Sequence, residues 1–201
     1  MMNSIKIANT KDEVSEIIKR EIILGNLKAN QTVTQNDIAE QFGLSRMPIR
    51  EAFNELVSQG FLIKLRSRKL VVANISSLTV INYNEALCSL ELSLFDNIDV
   101  PKYIDDLKLI LIANDFPPKD KILRFHQYIS EIIADHFIIT MHYNMLNSFI
   151  IPCVKYFDFH TKSSVDELKL AVDSLGKNDM ISFKNKLKKS NEIILDKLIN
   201  Q

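Results

Sequence analysis

The sequence predicts a mainly α chain in two parts. Residues 1–75 read as three helices plus a β-hairpin, and residues 76–201 as an all-α antiparallel bundle. Apolar residues recur at spacings of three and four along most of the 201 positions, the signature of helices with one buried face. Only between Gly60 and Ala73 does that period give way to short apolar runs around a basic turn. The four glycines, Gly25, Gly43, Gly60 and Gly176, each follow an apolar-periodic segment, where a helix end or a tight turn uses one.

Composition narrows the function. With 46% hydrophobic residues the chain has ample apolar material for real cores. No glycine is left over for a phosphate-cradling loop, which excludes Walker-type and dinucleotide-type sites. No apolar run approaches the roughly 20 residues of a membrane span, and Met1 to Thr10 shows no secretory leader. Cys88 and Cys153 stand far apart and read as buried free thiols. A cytoplasmic protein with no membrane partner is expected. The net charge of zero divides unevenly, +3 over residues 1–76 and −3 over residues 77–201. Four of the six residues from Lys64 to Lys69 are basic.

The first helix is expected over Lys11 to Leu24, with Val14, Ile17, Ile18 and Ile22 inward and Gly25 as its stop. A connection from Leu27 to Val33 leads to Thr34, whose hydroxyl can cap a second helix with Asp37 three residues on. Ile38, Ala39 and Phe42 form that helix's apolar face, and Leu44 is a buried-type residue in the following turn. Ser45 can cap a third helix reaching Gln59, with Pro48 in the first turn, where its missing N–H costs nothing. Ile49, Ala52, Phe53 and Leu56 share its inner face. Arg46, Arg50 and Asn54 fall within about 80° of one another on an exposed face. Two strands, 61–65 and 70–73, flank Arg66, Ser67, Arg68 and Lys69. Three helices followed by a hairpin with a basic tip make a winged helix-turn-helix. Arginines on its third helix suit guanine edges in the major groove, and Arg66, Arg68 and Lys69 suit phosphates or the minor groove.

The stretch from Asp37 to Leu62, with Gly43-Leu-Ser-Arg-Met-Pro-Ile-Arg-Glu-Ala52 at its centre, closely resembles the DNA-binding domain of GntR-family bacterial regulators. The likeness covers residues 11 to 75. Ala29-Asn30 stands where the family has Pro-Gly, and the wing tip lacks the family's glycines. The resemblance puts base- and phosphate-contacting positions on Ser45, Arg46 and Arg50, and a backbone or base contact on Asn36.

Beyond Ser77, helices are expected over about 77–98, 101–113, 118–138, 140–160, 163–175 and 178–199, with Pro152 bending or breaking its helix near residue 151. Six amphipathic helices on short loops suit one bundle. Leu123-Arg-Phe-His-Gln-Tyr-Ile-Ser130 resembles the Phe-His segment of the helical effector domain in the FadR/FCD branch of the same family. That resemblance implies a homodimer, a small organic effector and a metal held by one aspartate and three histidines. His126 matches one ligand position, but Ile122 stands at the aspartate, Leu168 at the second histidine and Ser190 at the third. His126 and His136 read as one helix with their side chains out of phase, and no other pairing of the four histidines completes a site. No metal or other cofactor is therefore expected. Arg124, His126 and Tyr128 are the expected effector-pocket residues.

The chain thus reads as a transcriptional regulator that binds a short palindromic duplex operator as a homodimer, as a ligand-responsive repressor and not an enzyme. The alternative is a helical interaction module whose winged helix binds a protein.

Overall fold

A computed structural model describes residues 11–43, 45–95, 99–132 and 135–200, apart from the Phe42 side chain. The expected core roles of Phe42 and Leu44 lie outside the described residues. The chain divides into two compact units, residues 1–75 and 76–201.

In the first unit the order is α1 (Lys11–Ile23), β1 (Thr32–Val33), α2 (Gln35–Phe42), α3 (Arg46–Ser58), β2 (Leu62–Lys64) and β3 (Leu70–Val72). Val14, Ile18, Ile22 and Ile23 of α1 are buried, as are Ile49, Ala52, Phe53 and Leu56 of α3, and the two helices pack together. Lys19 is also buried. Its ammonium meets Glu16 at 3.0 Å and lies 5.5 Å from the Phe61 ring centroid, so its stem fills the core while its charge keeps a partner.

Thr34 Oγ1 accepts from the Asp37 amide at 3.1 Å, a cap of about 1 kcal/mol. At the other end of α2, Gly43 sits at φ 65° and its amide donates to Ala39 O. A Cβ is disfavoured in that left-handed position, so glycine lets the chain leave α2 and enter α3 at once. The hairpin pairs Leu62 with Val72 and Lys64 with Leu70. On the other edge of β3, Thr32 pairs with Val71 and Val33 with Leu70. The expected connection at 27–33 thus contains a strand. Two residues are too few for an alternating pattern to reveal, and it is the open edge of β3 that makes them a strand.

The second unit has seven helices among the described residues: α4 (Ser77–Phe95), α5 (Pro101–Ile112), α6 (Pro118–Ile132), α7 (His136–Ser148), α8 (Ile150–Tyr156), α9 (Thr161–Gly176) and α10 (Met180–Ile199). The long α10 packs on α9 and α4, with the Phe95 and Phe183 rings edge to face at 5.1 Å. A polar seam runs along the α4–α10 contact. Asn84 Nδ2 donates to Lys188 O at 3.1 Å, and Glu85 takes the ammonium groups of Lys184 and Lys188. Gly176 closes α9, where a Cβ would come within 2.7 Å of Ile104 Cδ1, the movable end of that side chain.

Three expected boundaries move. The helix expected over 118–138 ends at Ile132, because Asp135 begins a new one by accepting the Ile138 amide at 3.0 Å. The helix expected over 140–160 breaks at Phe149, ahead of Pro152, and ends at Tyr156. The next begins at Thr161, leaving Ser164 inside it. Residues 136–156 are, by length and composition, apolar enough to cross a membrane, which the reading of the sequence had not found. They form two helices, α7 and α8, and bury His142, Leu146, Ile150 and Cys153 in the bundle.

Candidate nucleic-acid interface

The tight turn at Gly43 presents the first turn of α3 to solvent. Ser45, Arg46, Arg50 and Asn54 are all exposed, while Ile49, Ala52 and Phe53 of the same helix are buried. The apolar face fixes the helix, which leaves the guanidinium groups free to point outward. Ser45 has the extended backbone of a cap residue, φ −77° and ψ 154°, yet its hydroxyl makes no capping hydrogen bond. The expected Ser45 cap is therefore not formed. The helix begins without it, since Pro48 in the first turn has no N–H to satisfy.

The wing tip has a definite geometry despite its lack of glycine. Leu65 N donates to Lys69 O at 2.8 Å and Arg68 N to Leu65 O at 2.9 Å. Arg68 takes the left-handed conformation, φ 65°, where glycine is the easy residue. Arg66, Arg68 and Lys69 are exposed. A groove of about 570 Å³ is lined by Asn36 and Gln35 at the start of α2 and by Arg68 and Lys69 of the wing. The fold thus brings Asn36, Arg68 and Lys69 to one groove.

The second unit holds a cluster that the sequence reading missed. Glu91 of α4 is fully buried, as are His126 of α6 and His142 of α7. His126 Nδ1 lies 2.9 Å from Glu91 Oε1, and His142 Nε2 lies 2.8 Å from the same oxygen. Ser130 Oγ meets His142 Nδ1 at 2.7 Å. Burial pushes the Glu91 carboxyl up, but the imidazoles of His126 and then His142 outweigh it and hold the carboxyl below the usual range. The reading of the histidines did not foresee that His126 and His142 would share one carboxylate. Once Asp135 ends the helix that carries His126, α7 is free to bring His142 back beside it, and His136 falls on α7 too. The signal in the sequence was an acid, Glu91, on the face of α4 that carries Val80, Leu87, Cys88 and Phe95.

The expected pocket residues do not converge. His126 points into the core, whereas Arg124 is exposed and stacks its guanidinium 3.8 Å from the Phe116 ring centroid. Tyr128 OH donates to Asp106 Oδ2, and partial burial with that carboxylate raises its hydroxyl to about 12. Positions two apart on a helix lie about 200° apart around it, so Arg124 and Tyr128 face away from His126.

The residues present do not fit the metal arrangement that the FadR/FCD resemblance implies. Ile122, Leu168 and Ser190 are fully buried, and Ser190 Oγ is hydrogen-bonded to Ser164 Oγ at 2.8 Å. The remaining match, His126, has turned Nδ1 to a carboxylate. Among the described residues no group of three or more His, Cys, Asp or Glu side chains is arranged to hold a metal ion.

Comparison with known proteins agrees with this geometry. Residues 10–72 match the family described as bacterial regulatory proteins, gntR family. The gluconate operon transcriptional repressor of Bacillus subtilis is 28% identical, over 76% of this chain and 70% of its own length. Among solved structures, the Lar protein that controls expression of the Listeria monocytogenes agr system superposes with a TM-score of 0.62 at 13% identity, over 98% of this chain and 99% of that one. Escherichia coli McbR/YncC gives 0.55 at 17% identity, over 95% and 97%. Those two identities speak for the fold alone. Nothing favours a winged helix that binds only protein. The chain carries a GntR-family domain and is a DNA-binding transcriptional regulator.

Proposed function

We propose that the protein is a homodimeric repressor of the FadR/FCD-like branch, acting in the cytoplasm on a short, imperfectly palindromic operator. The observation that carries this reading is the exposed start of α3, with Arg46 and Arg50 outward, together with an exposed basic wing. Arg46 and Arg50 read base edges, guanine O6 and N7 being the acceptors that suit a guanidinium fork. Ser45, Asn36, Arg66, Arg68 and Lys69 hold the backbone. One winged helix reads only a few base pairs, so a useful specificity ratio over a genome needs two copies. The chain has no catalytic role, and the helical unit supplies the dimer surface and responds to a small organic effector.

That response does not run through a metal. The family's ligand positions other than His126 carry apolar or hydroxyl side chains here, and the His126 imidazole is hydrogen-bonded to Glu91. The contact between Glu91 and the two imidazoles joins α4, α6 and α7 instead, so the unit keeps its fold without an ion. Duplex selection followed by titration at two salt concentrations tests the reading. A selected site with two inverted half-sites, bound by a dimer with a steep salt dependence, supports it. A monomer that binds every duplex alike would overturn it.

A further inference from the structure

The exposed face of α3 holds one residue that neither the core nor the arginines explain. Met47 is 66% exposed, although its neighbours Pro48 and Ile49 are half-buried and fully buried. At about 100° per residue, the buried Ile49, Ala52, Phe53 and Leu56 define an arc whose centre lies about 170° from Met47. This side chain therefore stands almost opposite the core, where the helix projects farthest. Asn54 lies about 20° from it and Arg50 about 60° on the same scale. In a helix that enters the major groove by its first turns, that position faces the bases.

We propose that Met47 is a specificity-determining residue that packs on the 5-methyl group of a thymine in each half-site. The thymine methyl is the apolar group on the base edges of the major groove, and an unbranched, polarizable thioether adapts to such a surface. Flanking arginines argue for this occupant over an apolar protein surface. Arg46 and Arg50 are exposed within one turn of Met47, and burying both against an apolar partner would strand two charges that a duplex satisfies. The proposal rests on α3 lying in the groove and adds the base feature that its one exposed apolar side chain reads.

The test is a cycle between one methyl group and one side chain. In the duplex selected by the full-length protein, each thymine of the half-site is replaced in turn by deoxyuridine, which removes only the methyl. One replacement is expected to weaken binding about fourfold per half-site, the worth of one buried methyl. Met47→Ala is expected to weaken the thymine duplex by a similar factor and to make it indistinguishable from the deoxyuridine duplex. Because Met47 is exposed, the variant keeps its fold, checked by its unchanged melting temperature. Equal deoxyuridine effects in Met47→Ala and the parent would overturn the proposal, as would a selected half-site with no fixed thymine. Loss of sequence preference in Arg46→Ala alongside an unchanged methyl effect in Met47→Ala would overturn the thymine contact and leave the groove placement standing.

Discussion

His126 and His142, from different helices, meet on a single oxygen of Glu91, at 2.9 and 2.8 Å. For one carboxylate oxygen to accept from both, His126 must donate from Nδ1 and His142 from Nε2. His142→Ala leaves the buried Glu91 with one donor and opens a cavity. Breaking a buried pair in this way costs about 3–5 kcal/mol, to be read from urea unfolding of the parent and the variant. A loss below about 1 kcal/mol, the worth of an ordinary hydrogen bond, would mean that the contact is incidental.

Independence from metal is checked separately. Protein purified without a histidine tag should hold no stoichiometric zinc, nickel or manganese by elemental analysis. A chelator should change neither its melting temperature nor its operator affinity. One ion per chain, lost in His126→Ala, would show that residues outside the family pattern complete a site.

Acid should weaken the α4–α10 contact through Glu85. The bonds from Lys184 and then Lys188 lower the Glu85 carboxyl from its ordinary value to about 2. The folded state thus holds the charged form more tightly than the unfolded chain does. Its contribution is fully present above the unfolded value of about 4.3 and fades as pH falls toward 2. Since the Glu85 side chain is 43% exposed, the contribution is small and screened by salt. Glu85→Gln should be less stable than the parent at pH 6, and the two should converge near pH 2. A gap that stayed constant over that range would rule out the charge as its cause.

The wing separates backbone conformation from charge. Arg68→Gly relieves a left-handed arginine, which costs about 1–2 kcal/mol, so the first unit should become more stable. The same change should weaken all duplexes alike and lower the salt slope by about one unit for a lost phosphate contact. Greater stability with an unchanged salt slope would take Arg68 off the DNA.

Much of the first unit was legible in the sequence because its signals are local. Thr34 with Asp37, Gly43, Pro48 and the Ile49–Leu56 face each act within a turn or two. The strand at Thr32–Val33 was not legible, since its pairing with β3 is made by tertiary contact alone. The break at Asp135 was masked by apolar residues that keep helical spacing on either side of it. Once α6 and α7 were read as reaching through that break, His126 and His136 shared a helix and His142 had no path back to His126. Glu91 went unnoticed because its partners lie 35 and 51 residues away. Ser45 shows the opposite error, a capping residue type whose hydroxyl makes no cap.

The central claim is that α3 reads the operator. Arg46→Ala and Arg50→Ala should each weaken the selected operator by about 1–3 kcal/mol per half-site and relax preference at one or two base pairs. Lys69→Ala should lower the affinity for all sequences evenly. The most direct measurement is therefore duplex selection repeated with Arg46→Ala beside the parent. The account predicts a selected half-site that keeps its spacing and loses its fixed base at the position facing Arg46. An identical selected sequence bound with undiminished affinity would contradict it and take α3 out of the groove.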